Sequence, residues 1–284
     1  MWDDYESSFD KTWAEILGVD LSRIVFRHYT SDMNTIEKMW DQGLDVIKSK
    51  IIDMWVMDSI GAMLPKGDIY SGKEEKSLED GNMLNLQRKL GEFYRKANIY
   101  INKDASVGYK GCATVLIGQI YHTPTTTGIA LETVKGGNAV KHWAHLRLMM
   151  RRGPKADWPE PIKVAGLDGK TREKYPGWSC AIKIDKTRLN GSESQEILLP
   201  FFYGRGFDSA LSTISAAMGM NIITRSGAFY ECSLFPGKIQ GRESVKEFFT
   251  KDSSMLARLG ELVDKTSLET IVAKEITEDK ETDE

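Results

Sequence analysis

The sequence predicts an α/β chain built on a mostly parallel central sheet, with a small α+β domain at its carboxy-terminal end. Three observations lead there. Short apolar or aromatic runs alternate with segments of helical period through the first half of the chain. One run, Ile51 to Asp58, is compact, apolar and ends in an acid, the pattern of a parallel strand covered on both faces. Beyond residue 205 the pattern changes to short helices around a small hairpin.

Asp10 to Leu17 has the spacing of a short helix, and Arg23 to Tyr29 is an apolar run flanked by polar residues, as a strand would be. Ser31 and Asp32 offer caps for a helix with Met33, Ile36, Trp40, Leu44 and Ile47 at helical spacing. The strand Ile51 to Asp58 comes next. A charged stretch, Lys66 to Gly81, precedes a second amphipathic helix that sets Met83, Leu86, Leu90, Phe93 and Ala97 on one face. Cys112 to Ile120 is expected as another buried strand, followed by a Thr- and Gly-rich loop, Tyr121 to Gly137. Further strands are expected at Trp143 to Arg152 and across Ser179 to Phe202, the latter a hairpin turning near Asn190-Gly191. Ile222 to Leu234 is the small hairpin past the boundary. The predicted division is 1–205, 206–265 and an acidic, solvated tail at 266–284.

Composition bounds the function. With 41% hydrophobic and 28% charged residues, and no apolar run near the roughly 20 residues that span a bilayer, the chain reads as soluble and cytoplasmic, without a membrane role. Its start, Met1 to Glu6, has neither the basic region nor the apolar stretch of a signal peptide. Cys112, Cys180 and Cys232 are odd in number and lack metal-ligand spacing, which argues against a disulfide scaffold or a zinc site. The net charge is -3, but Glu275 to Glu284 holds six acids against Lys280 alone. The remainder carries an excess of about two positive charges, which neither demands nor excludes a nucleic-acid partner.

The chemistry begins at Asp58-Ser59. An acid at the carboxyl end of a buried strand opens on the crevice where α/β sheets bind ligands, and in a nucleotide hydrolase it would hold magnesium against the phosphates. Other segments stand in a telling order around it: Asp4 to Asp10 with Leu17 to Asp20, then Asp58 to Lys66, Ile117-Gly118-Gln119-Ile120, Gly136-Gly137-Asn138-Ala139, and Gly227 to Tyr230 with Gly237 to Gly241. In that order, from about Asp4 to Asp252, the chain resembles the RecA family of recombinases, including its phage members.

The resemblance implies a RecA-like ATPase core and a role for each matched position. Glu6 matches the carboxylate that activates the attacking water. Asp10 and Trp13 match the pair that contacts adenine, Trp taking the place of the usual Tyr and preserving stacking. Asp58 and Ser59 match the magnesium-linked Walker B segment. Gln119 matches the switch residue that senses the γ-phosphate and leads into a DNA loop, giving ATP a route to DNA affinity. Lys186 and Arg188 match two lysines that reach a neighbouring subunit's ATP across the filament interface, Arg at the second position changing the geometry of the charge.

Two loops are implied as DNA contacts, Gly67 to Asp80 and Tyr121 to Lys135. In the second, Thr123, Thr125, Thr126 and Thr127 would meet phosphates, Lys135 would add charge, and Ile129 or Leu131 would wedge between bases. Gly136, Gly137 and Asn138 close that loop. The implied cofactors are ATP and Mg2+. The implied partners are single- and double-stranded DNA and further copies of the chain in a helical filament.

One feature departs from the family. No Gly-x-x-x-x-Gly-Lys-Ser/Thr loop occurs in the 284 residues, although such a loop holds the β- and γ-phosphates. The core is therefore expected to be incomplete at its amino-terminal end, as in a truncated recombinase or one split from a separately encoded phosphate-loop fragment. The alternatives are a non-catalytic paralogue that binds DNA or modulates filaments without hydrolysis, and, more distantly, a hexameric motor on the same core, such as a replicative helicase.

Overall fold

The computed structural model describes residues 1–30, 35–71, 74–75, 83–123, 131–134, 137–153, 161–165, 170–188 and 196–281. Contacts divide it into two units, Met1–Ala144 and His145–Glu284.

The first unit opens with strand β1 (Trp2–Asp4), helix α1 (Lys11–Ile16) and strand β2 (Phe26–His28). Helix α2 (Ile36–Lys48) follows and leads into β3 (Met54–Asp58). Ser31 and Asp32, expected as caps of α2, lie outside the described residues, and Thr35 is the cap, its hydroxyl accepting from the Lys38 amide. Helix α3 (Lys66–Ile69) and the short pair β4 (Tyr70–Ser71) and β5 (Glu74–Glu75) make up the described half of the first expected DNA loop, the other half of which lies outside the described residues. Helix α4 (Met83–Tyr100) and β6 (Ala113–Leu116) complete the core. The antiparallel pair β7 (Ile120–Thr123) and β8 (Leu131–Val134), then helix α5 (Gly137–Trp143), end the unit.

Strands β1, β2, β3 and β6 form one parallel sheet in the order β2-β1-β3-β6. The helical stripes meet beneath it. Ile36, Met39, Trp40, Leu44 and Ile47 of α2 and Leu90, Phe93 and Ala97 of α4 are buried with Trp55 and Met57 of β3. Trp40 and Phe93 pack at 4.5 Å between ring centroids, and Phe93 meets Trp55 edge-on at 5.4 Å.

The sheet also holds a polar centre. Asp3 is fully buried, and Arg27 neutralises it with Nε to Oδ1 at 2.8 Å and Nη2 to Oδ2 at 2.5 Å. Trp55 Nε1 donates to the same carboxylate at 2.9 Å, and Arg27 also donates to the Met39 carbonyl. Burial dominates and raises the Asp3 pKa, with the Arg27 charge opposing it. Every acceptor site used here faces a donor, which is what allows a carboxylate to sit in an apolar layer.

Two expectations change. Cys112 to Ile120 is not one buried strand: β6 ends at Leu116, and β7 begins a separate pair at Ile120. Standing last in the sheet order, β6 has a sheet neighbour on one side only among the described residues, and Val115 in it and Ile117 just beyond it keep 39% and 37% of their surface exposed. Trp143 ends helix α5, and the strand expected from that point starts only at Leu146.

In the second unit β9 (Leu146–Arg152), β12 (Gly177–Thr187), β13 (Glu196–Phe202) and β14 (Gly206–Phe207) form an antiparallel sheet in the order β14-β13-β12-β9. Between β9 and β12 stands a separate two-stranded ribbon, β10 (Ile162–Ala165) and β11 (Thr171–Lys174). Helix α6 (Ser209–Gly219), strands β15 (Thr224–Ser226), β16 (Phe229–Glu231) and β17 (Ile239–Gln240), and helices α7 (Arg242–Lys251) and α8 (Ser253–Glu281) follow. Leu211, Ile214, Ile223, Tyr230, Val245, Phe249 and Leu259 form their common core. Helix α8 runs on through the segment expected as a tail from residue 266. Among the described residues no helix is long and apolar enough to cross a membrane.

Candidate active site

Parallel strands present their carboxyl ends on one side, so β1, β3 and β6 deliver three segments to one rim: Asp4 to Phe9, Asp58 to Ile60, and Ile117 to Gln119. Asp4 and Asp58 are Cα partners in the β1–β3 ladder. The Tyr5 amide donates to the Asp58 carbonyl at 2.7 Å, and the Ile60 amide donates to the Ile117 carbonyl at 2.8 Å. The three segments are therefore tied together by backbone hydrogen bonds as they leave the sheet.

Asp4 shapes the first segment. Its carboxylate, on a residue only 3% exposed, accepts from the amides of Glu6 and Ser8 at 3.2 Å each and of Phe9 at 3.1 Å. These bonds curl the chain into a tight loop with Ser7 at a positive φ of 54°. Phe9 anchors the far end between Trp2 at 4.9 Å and Phe26 at 4.5 Å. Glu6 is thereby held at the rim, exposed, and its Oε1 accepts a short hydrogen bond from the buried Ser59 hydroxyl.

Asp58 is half-buried and joined to Ser59 by a cis peptide bond. Burial raises its pKa, and the charges of Glu6 and Asp4 push the same way. Three carboxylates at one rim make a site of negative potential that a cation or a hydrogen-bond donor would relieve. Among the described residues no group of three or more His, Cys, Asp and Glu side chains could hold a metal ion by itself.

Gln119 is exposed just past β6, and its Oε1 accepts from the Tyr121 hydroxyl at 3.1 Å. Both face Gly61, where an added Cβ would lie 3.2 Å from Ser59 Oγ, 3.4 Å from the Tyr121 hydroxyl and 3.8 Å from Gln119 Oε1. Glu6, Ser59 and Gln119 thus belong to one constellation, with Asp58 covalently beside it.

Other expected positions stand elsewhere. Asp10 caps α1, its Oδ1 accepting from the Trp13 amide at 3.0 Å, and Trp13 is half-buried on that helix. Lys186 and Arg188 lie in the second unit, on β12 and just beyond it; the Arg188 amide donates to the His145 carbonyl at 2.9 Å. Thr123 ends β7 and Leu131 begins the antiparallel β8, so these strands flank the middle of the second expected DNA loop, and Gly137 and Asn138 open α5. Thr125, Thr126, Thr127, Ile129, Lys135 and Gly136 lie outside the described residues.

Sequence reasoning gave no individual role to Asp4 or Gly61, and placed Tyr121 only at the start of the second expected DNA loop. For Tyr121 a signal existed: in extended chain it stands two residues from Gln119, the spacing that returns a side chain to the same face.

The RecA N-terminal domain matches residues 1–170. Protein RecA of Rickettsia bellii (strain OSU 85-389) is 27% identical over 261 residues, which cover 92% of this chain and 67% of that protein. Protein RecA of Borreliella afzelii (strain PKo) is 28% identical over 255 residues, covering 88% and 61%. A crystal structure of the RadB recombinase aligns over 72% of this chain and 76% of its own, with 16% identity and a TM-score of 0.41. The chain spans about two thirds of the length of the curated relatives it matches. With the family's amino-terminal domain matched over more than half of its residues, the chain belongs to the RecA family, a family of DNA recombination and repair.

Proposed function

We propose that this chain carries the hydrolytic and DNA-contacting parts of an ATP-dependent strand-exchange protein, and that the phosphate-holding loop is supplied by another segment. The observation that carries this reading is the Glu6–Ser59 hydrogen bond at the rim of a parallel sheet, beside Asp58 and within one glycine of Gln119. Glu6 acts as the acceptor that orients and deprotonates the attacking water. Ser59 fixes the Glu6 carboxylate, and Asp4 fixes its backbone.

The residues present fit Mg2+·ATP. Magnesium takes one or two protein carboxylates and completes its shell with phosphate and water, so Asp58 with Ser59 suffices without a dedicated protein cage. When bound, the ion would neutralise charge building on the phosphates. Asp58 would hold it, while Gln119, its Oε1 already taken by Tyr121, keeps its amide N–H groups to donate toward the γ-phosphate. Asp10 and Trp13 contact the adenine, and Lys186 and Arg188 act on the nucleotide of a neighbouring copy in a filament. The second loop, Tyr121 to Lys135, with Gly136, Gly137 and Asn138 at its end, contacts DNA. A cytoplasmic setting agrees with three cysteines that are all free.

The edge position of β6 in the described sheet agrees with a phosphate-holding strand supplied by another segment. Among the described residues β6 pairs with β3 alone, and an unpaired strand edge is a template for a further strand.

The test is reconstitution. The chain alone should hydrolyse little ATP; mixed with a Gly-x-x-x-x-Gly-Lys-Ser/Thr fragment of a RecA-family protein it should show hydrolysis stimulated by single-stranded DNA, at least 100-fold reduced by Glu6→Gln. A mixture that binds DNA but never hydrolyses ATP would favour the non-catalytic paralogue.

A further inference from the structure

Tyr29 stands one residue past β2, half-buried against the core of the first unit, and its two ends meet two different segments. Its ring meets the Tyr5 ring edge-on at 5.1 Å between centroids. Its hydroxyl oxygen accepts from the Leu64 amide at 3.1 Å.

Both partners matter by position. Tyr5 lies between Asp4 and Glu6 and is held from two further sides: its amide donates to the Asp58 carbonyl at 2.7 Å, and its hydroxyl donates to Asp3 Oδ2 at 3.5 Å. Leu64 lies three residues before Gly67, where the first expected DNA loop opens. The Leu64 carbonyl accepts from the Ile36 amide at 3.0 Å, and the Lys66 amide donates to Glu37 Oε2 at 2.8 Å. The amino-terminal turn of α2 thereby anchors the entry to α3. From α4, Asn85 donates to Asp68 Oδ1 at 2.6 Å and anchors α3 a second time.

The stretch from the rim to this loop is short. Ser59, which donates to Glu6, begins it; Ile60 is tied to the Ile117 carbonyl, and both Ile60 and Met63 are buried. The Glu6 segment and Leu64 are therefore joined twice, through the backbone that starts at Ser59 and through the rings of Tyr5 and Tyr29.

We propose that Tyr29 is a positioning residue for hydrolysis: through its bond to Leu64 and its ring contact with Tyr5, it carries the engagement of the first loop by single-stranded DNA to the Glu6 carboxylate. The inference rests on the ATP-hydrolysing, DNA-binding reading above. A ligand changes events at a distance only through contacts that differ between its free and bound states, and packed side chains on rigid elements are the physical carriers of such a change. The β1–β3 ladder and the polar centre at Asp3 hold Tyr5, so a displacement of Leu64 is taken up at Tyr29 and delivered to the residue covalently joined to Glu6. The anchors on α2 and α4 hold the loop base by themselves. Loss of the Tyr29 hydroxyl therefore severs the link without releasing the loop, and Leu64, 50% exposed, can offer its amide to water instead.

The test uses the full chain mixed with the phosphate-loop fragment, with hydrolysis followed over a titration of single-stranded DNA. Tyr29→Phe keeps the ring and removes the bond to Leu64, whereas Tyr29→Leu removes both. In each variant the ratio of the DNA-saturated rate to the DNA-free rate should fall roughly three- to tenfold, a coupling near the lower end of those found between sites. The DNA concentration for half-stimulation should stay within twofold of wild type. Tyr29→Leu should lower the urea unfolding midpoint more than Tyr29→Phe does, which separates packing from coupling.

A stimulation ratio within twofold of wild type in Tyr29→Phe would overturn the proposal. If Tyr29→Leu alone lost the ratio, ring packing would be the cause; if both rates fell equally, Tyr29 would be a structural part of the site; either result overturns the link through Leu64. A shift of half-stimulation with an unchanged ratio would also overturn it, by making Tyr29 a determinant of DNA affinity. A wild-type mixture that hydrolyses ATP without stimulation by DNA, or not at all, would instead defeat the underlying reading and the proposal with it.

Discussion

Asp4 and Asp58 face each other as Cα partners across the β1–β3 ladder, yet only one of them is committed to the fold. Asp4 accepts three backbone amides; Asp58 ends β3 at the rim, where burial and two neighbouring carboxylates disfavour its charge. Replacing them should separate stability from activity. Asp4→Ala strands three amides of the Glu6 loop and should cost about 2–4 kcal/mol. Asp58→Asn removes like-charge repulsion and should leave stability within about 1 kcal/mol of wild type, on the stabilising side, while abolishing Mg2+-dependent nucleotide turnover in the reconstituted mixture. Urea unfolding of both variants beside turnover measurements decides it; an Asp58→Asn chain that loses several kcal/mol would show a structural carboxylate.

Tyr121 makes a different kind of contribution. Its hydroxyl donates to Gln119 Oε1 at 3.1 Å and so sets which end of the amide remains a donor. Tyr121→Phe removes that constraint without removing the glutamine. If Gln119 couples nucleotide to DNA, the variant should bind single-stranded DNA as wild type does without nucleotide, but lose about three- to tenfold of the gain that ATP confers, a coupling of roughly 1 kcal/mol. An equal loss with and without nucleotide would mean that Tyr121 only shapes the hairpin.

What the sequence revealed of this fold and site follows physical lines. The α2 and α4 stripes were legible because each helix buries one face, and the expected Ile36, Trp40, Leu44, Ile47, Leu90, Phe93 and Ala97 are among the buried residues. Strand β1 was not: Trp2-Asp3-Asp4 reads as polar, and its two acids become tolerable only through Arg27, 24 residues from Asp3 in sequence, and through a loop that closes on Asp4. Strand β6 was legible within Cys112 to Ile120, but its end at Leu116 and its edge position were not, since hydropathy does not tell a strand with one sheet neighbour from a strand with two. The ribbon β10–β11, with its exposed faces, lacked the apolar alternation that marks a half-buried strand. Within the site, Asp58 was legible as a strand-terminal acid and Glu6 and Gln119 by their order along the chain, whereas Asp4, Gly61 and Tyr121 act through contacts that require the folded rim.

Gly43 and Gly91 offer a matched pair in the two core helices. Exchanging a mid-helix glycine for alanine is worth up to about 1 kcal/mol in helix propensity. At Gly91 an added Cβ meets nothing within 4 Å, so Gly91→Ala should stabilise by about 0.5–1 kcal/mol. At Gly43 the Cβ would lie 2.4 Å from Trp55 Cζ2 and 2.8 Å from Arg27 Nη2. Trp55 is fully buried and bonded to Asp3, so it cannot yield without breaking the polar centre. Overpacking of about 2–3 kcal/mol outweighs the propensity gain, and Gly43→Ala should lose about 1–2 kcal/mol net. Opposite shifts of the urea midpoint are expected; a stabilised Gly43→Ala would show that the helix can move away from Trp55.

The acid limb of stability carries a signature of Asp104. Lys50 and the hydroxyl and amide of Ser106, at 2.5 and 3.1 Å, hydrogen-bond its carboxylate and lower its pKa from 3.8 to about 2. A carboxyl whose folded pKa lies below its unfolded one stabilises the fold fully above the unfolded value, and that contribution is lost as pH falls toward the folded value. Asp104→Asn should therefore be less stable than wild type at neutral pH, by an amount that is constant down to about pH 4 and shrinks toward zero near pH 2. The asparagine oxygen can still accept from the Ser106 amide, so the pH-dependent part of the difference isolates the charge. Because Asp104 is solvent-exposed, 1 M salt, with a Debye length of about 3 Å, should shrink the neutral-pH difference too. A difference between the two unfolding midpoints that does not vary with pH would assign the loss to the turn at Ala105 rather than to the ion pair with Lys50.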